Sequence, residues 1–348
     1  MDKTALDALR AKYGDARGGD IFDPLFKSVA DGVFQGDRRA LPYTSPATLL
    51  GAPFRPEAAS DPAAHPLDIA LIGVPMDLGV TNRSGARFGP RAVRGAERIG
   101  PYEHVLRMAP LQGCRAADVG DVPLSSRYSL EACHADIEAF FIRMHASGAI
   151  PLAVGGDHSI THPILRALGR ERPVGMVHID AHCDTSGPFE GSKFHHGGPC
   201  RQAVLDGVLD PKRTVQIGIR GAAEYLWEFS YDSGMTVIHA EDVAERGVAD
   251  VLRQALAVVG DGPTYVSFDV DSLDPGFAPG TGTPEVGGLT PREVLAILRG
   301  LRDVNVIGGD VVEVAPQYDA TTNTAQAAGQ MLLQLACLAR LSLDRARV

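Results

Sequence analysis

From Asp68 onward, short and nearly continuous apolar runs recur along the chain, each followed by a polar loop and then by a helix-like stretch. Residues 69–74, 152–154, 174–179, 214–219, 236–238, 265–268 and 304–307 read as strands. Runs that are apolar at every position belong to strands covered on both faces. Val248, Val251, Leu252, Ala255, Leu256 and Val259 fall on one stripe of a helix. Another helix is expected to start near Pro90, since proline is favoured in a first helical turn. Strands alternating with helices predict an α/β protein, a three-layer α/β/α domain around a central, mainly parallel sheet. The first 65 residues differ: they are rich in Gly, Pro and Asp and lack a sustained period. They read either as a partly disordered tail or as an ordered arm with contact segments such as Phe22 to Phe26 and Tyr43 to Leu50. The expected division is an arm over 1–67, possible contact for a neighbouring subunit, and one large domain over 68–348. No internal repeat is visible.

The chemistry sits where the apolar runs end. Val177-His178-Ile179 leads into Asp180-Ala181-His182-Cys183-Asp184, with three metal-ligand side chains at alternate positions. In an extended segment alternate residues point the same way, so the three are expected to converge. Val266-Ser267-Phe268 leads into Asp269-Val270-Asp271, and Leu152-Ala153-Val154 into Gly155-Gly156-Asp157-His158. A lone Asp-x-Asp is usually a turn or a helix cap, and a lone histidine after Gly-Gly is usually a loop residue. Three ionisable groups at the end of one buried strand are different, because without a cation they repel one another or bury charge. Strand carboxyl ends are also where open α/β sheets keep their sites. Four carboxylates and two imidazoles suit Mn(II), Fe(II), Co(II) or Ni(II) better than structural zinc. Two ions about 3.5–4 Å apart acidify a shared water, which points to metal-assisted hydrolysis. Cys183 is expected to face away from the ligands. His65, His104, His134, His145, His162 and His239 read as structural or surface residues, and His178 as a residue behind the ligand face.

Gly-Gly-Asp-His-Ser at 155–159, the DxHxD run at 180–184, SFDVDSLDP at 267–275, GTGTPEVGGLT at 280–290 and DVVEVAP at 310–316 occur in the order seen in the ureohydrolases. The chain resembles that family of arginase and agmatinase from about Asp68 to near the C-terminus, including its GARFGP segment at 85–90. The resemblance implies an arginase-like fold and a bridged pair of divalent ions, Mn(II) first and Ni(II) as the alternative, that splits a guanidinium group into urea and an amine. It implies that His158 and Asp184 bind one ion, His182 and Asp271 the other, and that Asp180 and Asp269 bridge them. Besides Asp184, it implies catalytic roles for His196 as proton shuttle, with His195 beside it as the competing assignment, and for Glu313 as the guanidinium clamp. A carboxylate suits that last role, since a planar, permanently charged guanidinium pairs with one bidentately.

Composition narrows the partners. Apolar residues make up 45% of the 348 and charged residues 22%, as a globular protein with a sizeable core requires. A net charge of −10 argues against nucleic acid and anionic membranes and is compatible with a cationic substrate. Five scattered cysteines read as free thiols in a reducing cytoplasm, and no signal peptide or run of 18 apolar residues is present. A homo-oligomer, trimer or hexamer, follows from the resemblance. The loop at 185–194 lacks the arginase pattern, and the flanking motifs look closer to agmatinase and guanidinobutyrase; Phe189 and Glu190 are expected to face the substrate tail, Glu190 meeting a terminal amine. Agmatine leads. 4-Guanidinobutyrate, 3-guanidinopropionate, free guanidine and alkylated guanidines or biguanides stay open, as do a formimino-amide hydrolase and a silent partner subunit.

Overall fold

The structure, a computed structural model, describes residues 2–31, 34–35, 38–39, 44, 46–96, 99–221 and 224–347. Two compact units divide the chain, Met1–Ala47 and Thr48–Val348. The first carries helices Lys3–Tyr13 and Pro24–Asp31, which the sequence pattern did not announce. Local capping accounts for both. Asp2 accepts the N–H of Thr4, and Asp23 accepts those of Leu25 and Phe26. No residue of Lys3–Tyr13 is buried, which is why no amphipathic stripe is written there. Tyr43 lies outside the described residues.

The second unit is built on eight strands: β1 (Ile69–Val74), β2 (Ala116–Asp121), β3 (Ile150–Gly155), β4 (Val174–Ile179), β5 (Leu209–Ile219), β6 (Thr236–His239), β7 (Thr264–Asp269) and β8 (Val306–Val312). They lie in the order β2-β1-β3-β8-β7-β4-β5-β6, and every neighbouring pair is parallel. The strand period of two divides each run between two cores. Ile69, Leu71, Leu152, Val154, Val177, Ile179, Val266 and Phe268 pack with helices Val248–Val259, Pro291–Gly300 and Asn323–Ala346. Ala70, Ile72, Val74, Ala153, Met176 and Tyr265 pack on the other face with Leu130–Ala146, Thr161–Leu168 and Pro199–Leu205. Residues 48–67 belong to this unit, with Leu49, Ala58 and Leu67 buried in it. A helix over Gly89–Arg94 carries Pro90 in its first turn.

Three strands differ from the sequence expectation. β5 begins at Leu209, five residues before the expected 214; Asp210, Lys212 and Arg213 break its apolar pattern and hid its start. β2 was unread because Asp118 and Asp121 interrupt it; Asp118 is fully buried, paired with Arg94 at 2.8 Å and taking the N–H of Leu49. β8 runs to Val312, well beyond 307; Gly308 and Gly309 break the apolar run and so hid its extent in the sequence. Those glycines are sterically required: a Cβ at Gly309 would stand 2.7 Å from the carbonyl oxygen of Val266 on β7, and one at Gly308 2.6 Å from Leu168.

The turn after β3 is equally tight. A Cβ at Gly156 would lie 2.1 Å from the carbonyl oxygen of Met76 and 2.6 Å from that of Val74. Backbone carbonyls cannot swing aside, so Gly156→Ala is expected to cost stability near the upper end of the about 1–3 kcal/mol usual for overpacking. Urea denaturation measures it; an unchanged midpoint would show that the turn yields.

Candidate metal centre

Four central, adjacent strands deliver the chemistry at their carboxyl ends. β3 leads to His158, β4 to Asp180, His182 and Asp184, β7 to Asp269 and Asp271, and β8 to Glu313. His158 Nδ1 stands 3.0 Å from Asp180 Oδ2, 2.9 Å from Asp184 Oδ2 and 3.2 Å from Asp269 Oδ2. His182 Nδ1 stands 3.4 Å from Asp180 Oδ1 and 3.2 Å from Asp271 Oδ2. All six residues expected as ligands are therefore brought together, and the two oxygens of Asp180 face different imidazoles. The geometry of convergence is not the strand alternation expected. β4 ends at Ile179, and Asp184 adopts a left-handed backbone, φ 54°. A turn, not an extended strand, aims Asp184 at His158.

Electrostatics and hydrogen bonding fit a cation. His158 Nδ1 and Asp184 Oδ2 are buried and, despite their proximity, neither makes a hydrogen bond; both are free to act as donor atoms to an ion. Burial together with the charges of Asp271 and Asp180 pushes the Asp269 carboxyl well above its usual range. Burial also opposes ionisation of Asp180, but His178, His158 and His182 hold it well below. Carboxylates packed this closely need positive charge among them. The oxygen-rich donor set matches hard to borderline divalent ions.

A buried polar row underlies the ligands, and most of it escaped sequence reading. Asp310 on β8, Ser267 on β7, His178 on β4 and Gln216 on β5 are register partners on neighbouring strands. Tyr265 Oη and Thr161 Oγ1 donate to Asp310 Oδ2, and Ser267 Oγ donates to Asp310 Oδ1. Ser267 thereby leaves its oxygen to accept from His158 Nε2 at 2.8 Å, which fixes the tautomer and turns the Nδ1 lone pair toward the carboxylates. Gln216 donates to His178 Nδ1, so His178 Nε2–H donates to Asp180 Oδ2 at 2.8 Å. The signal available in the sequence was a polar residue inside a buried run two places before a ligand, as at His178 and Ser267. Cys183 is buried beside Ser230, and burial pushes its thiol up to about 12, so it stays protonated.

A cavity of about 740 Å³ is lined by His158, His182, Asp184, Asp269, Asp271 and Glu313, and also by Phe189, Tyr225 and Trp227, the first two of them exposed. Glu313 is buried in a left-handed conformation, φ 66°, a conformation that costs energy in a non-glycine residue. Its Oε1 accepts the backbone N–H of His158 and faces His196 Nδ1, both at 2.8 Å, while Oε2 has no hydrogen-bond partner. Of the two neighbouring histidines, His196 reaches Glu313, whereas His195 Nε2–H donates to the Gly187 carbonyl. Burial works against a charged His196 ring, but Glu313, Asp157 and Asp184 outweigh it and push it up to about 9. Glu190, expected at the substrate tail, instead sits exposed in a turn with φ 46° and does not line the cavity. Phe189 does line it. So does Glu285, whose Oε1 lies 3.5 Å from His182 Nε2 and for which no role was expected.

Such a fold and site define an α/β/α protein with a paired histidine–carboxylate centre at the base of a cavity. The arginase family profile matches residues 67–337, and the chain belongs to the arginase family. It is 50% identical over 285 residues to a guanidinopropionase of Pseudomonas aeruginosa, covering 81% of this chain and 89% of that protein. It is 44% identical over 280 residues to a mitochondrial agmatinase of Gallus gallus, covering 79% and 82%. Among solved structures, the proclavaminate amidino hydrolase of Streptomyces clavuligerus matches with a TM-score of 0.80 at 35% identity, covering 87% of this chain and all of that one. Among the described residues no helix is long and apolar enough to cross a membrane.

Removing the serine from the buried row should loosen the centre without unfolding the sheet. Ser267→Ala is expected to weaken divalent-ion affinity by about 10–100-fold, the usual effect of losing a residue that orients a ligand histidine. Calorimetric titration of the metal-free protein measures it; native affinity would remove Ser267 from the site.

Proposed function

We propose that this chain is a two-ion amidinohydrolase that splits a guanidino compound into urea and an amine. His158, Asp180, His182, Asp184, Asp269 and Asp271 would hold the ions, Mn(II) first and Ni(II) as the alternative, with Asp180 and Asp269 shared. When bound, such a pair supplies an acidified water as nucleophile near neutral pH. The observation that carries the reading is Glu313: one oxygen saturated, the other buried, unpartnered and facing the same cavity as the ligands. A buried acceptor left open costs free energy unless a donor arrives, and a guanidinium offers several in one plane. Glu313 would orient the group and fix its central carbon; His196, bonded to Glu313, would move protons.

Agmatine is the substrate the cavity supports best. Besides the ligands and Glu313, the charged side chain among its described lining residues is Glu285, and no lysine or arginine lines it. A cationic tail therefore meets complementary charge. A second reading, a guanidino acid such as 3-guanidinopropionate, is favoured by the 50% identity to guanidinopropionase and by Arg201 in a chamber that shares Thr185, Ser186, Gly187, Tyr225 and Leu226 with the main cavity. A urea-release screen across agmatine, 3-guanidinopropionate, 4-guanidinobutyrate, arginine, guanidine and dimethylbiguanide, after loading with Mn(II) or Ni(II), ranks them. No urea from any guanidino compound with both ions bound would sink the reading. We also propose a homo-oligomer, trimer or hexamer, whose 1–47 unit, with Tyr13, Phe22 and Phe26 exposed, contacts a neighbour; a monomer in light scattering would contradict this.

Glu313→Gln keeps the shape and one acceptor oxygen but removes the charge. Losing one partner of a buried charge pair costs about 2–5 kcal/mol, so kcat/KM is expected to fall roughly 30-fold or more at unchanged metal content. Near-native kinetics with full metal occupancy would exclude the clamp.

A further inference from the structure

The two imidazoles among the residues read as ligands are supported from different sides. His158 is buried, and Ser267 holds its Nε2 from within the sheet at 2.8 Å. His182 is the more open of the two, its side chain 29% exposed against 2% for His158. Its Nδ1 faces Asp180 and Asp271, and its Nε2 lies 3.5 Å from Glu285 Oε1. A ring whose Nδ1 lone pair goes to a cation carries its proton on Nε2, and Glu285 then stands on the side where that proton points. Backbone packs the edge of the ring: a Cβ at Gly221 would stand 2.7 Å from His182 Cδ2. Two residues before Glu285, Thr283 Oγ1 donates to Asp271 Oδ2 at 3.3 Å. One turn therefore touches both His182 and Asp271. The turn is itself held in place. Arg220 donates to the Glu285 carbonyl at 2.6 Å and to that of Asp271 at 2.8 Å. Asp274 Oδ2 accepts the N–H groups of Gly287 and Gly288 at 2.9 and 3.2 Å.

We propose that the turn carrying Thr283 and Glu285 is the outer support of one metal position: Glu285 Oε1 accepts the Nε2–H of His182, and Thr283 steadies Asp271. Together they set the affinity of the His182–Asp271 ion without setting that of the His158–Asp184 ion. This rests on the two-ion reading. Glu285 is a positioning residue, since it acts through His182. Its charge matters as well as its oxygen. A carboxylate accepts more strongly than a neutral group, and an acceptor on the far nitrogen fixes the ring and raises its basicity as a ligand. The centre is then asymmetric. One half takes its orientation from the sheet, through Ser267 and Asp310. The other half takes it from a turn that also lines the cavity.

Calorimetric titration of the metal-free protein with Mn(II) reads the two positions without recourse to turnover. Losing a residue that orients a ligand histidine usually costs about 10–100-fold in metal affinity. Glu285→Ala is expected to weaken one of the two binding events by that factor and to leave the other within about twofold. Glu285→Gln keeps an acceptor oxygen without the charge and should fall between Glu285→Ala and the native protein. Ser267→Ala should weaken the opposite event, and the double variant both. Glu285 is half-buried on a turn, so thermal unfolding of the metal-free variants should match the native protein. Nitrogen-15 spectra of the protein loaded with diamagnetic Zn(II) assign the events. His182 should show a coordinated Nδ1 and a protonated Nε2 whose shift moves in Glu285→Ala, while the His158 signals stay. Two unweakened events in Glu285→Ala, two events weakened alike, or a His182 proton on Nδ1 in the loaded native protein would each overturn the support. Native protein that takes up fewer than two ions removes the two-ion reading and the support with it; two ions bound equally well by native protein and Glu285→Ala remove the support alone.

Discussion

The site depends on strand register. Asp310, Ser267, His178 and Gln216 line up across β8, β7, β4 and β5 only because those strands pair as they do, and a slip of one residue in any of them would turn its polar group to the other face. In the observed register each group meets a partner: Asp310 absorbs three hydroxyl donors, Ser267 passes the interaction to His158, and His178 passes it to Asp180. Four polar side chains buried in a sheet would be a liability if any were left unpaired. Paired along the row, with Gln216 Oε1 the atom left without a partner, they hold an imidazole and a carboxylate in one orientation from below, before any ion arrives. The apolar halves of the same strands explain why the register is firm, since both faces of the sheet are core.

On that platform the ligand cluster is electrostatically unfinished. Carboxylates such as Asp269 are driven toward the protonated state by burial and by one another, and His158 is drawn upward by the acids around it although burial opposes its charge. Within the cluster itself, the positive charge that the described side chains bring is a proton on an imidazole. Divalent ions replace such protons with more charge in less space, so metal binding and proton release are linked. Backbone strain belongs to the same arrangement: Asp184 and Glu313 are both left-handed, one at the metal cluster and one at the cavity wall. The rigid strand ends on either side make up for a conformation that neither residue would choose alone.

The layers of the fold were legible in the sequence because buried parallel strands are apolar without interruption; every run proposed overlaps an observed strand. The exceptions have physical causes. β2 was hidden by Asp118, whose charge is answered by Arg94 from elsewhere in the chain, and the length of β8 by glycines that serve close packing against Val266 and Leu168. The candidate ligands were legible because donor residues crowd into a few positions, and dense like charge is rarely accidental. Ser267, Asp310 and Gln216 were not, because each stands alone in its own run and acquires meaning only from its neighbour across the sheet. Thr81, whose backbone N–H and hydroxyl both meet His196 Nε2, was hidden for a further reason: it lies 115 residues from His196, and nothing local marks it.

Selectivity falls to a different part of the molecule. In the reading proposed, the guanidinium end of a substrate would meet groups fixed by the sheet, whereas the tail would meet loops that bring Phe189, Tyr225, Trp227 and Glu285 to the cavity lining. Arg220 ties that turn to the sheet, donating to the carbonyls of Glu285 and Val286 and also to that of Asp271 beside the cluster. One guanidinium thus couples the position of Glu285 to the position of a candidate ligand. A change in this turn would therefore be felt both by the tail of the substrate and by the centre that attacks its head. The 185–194 loop has no such tie to the sheet at Glu190, which stands exposed and outside the cavity. Within one family, tail preference can then change through loops of this second kind while the sheet, its polar row and the ion cluster stay as they are.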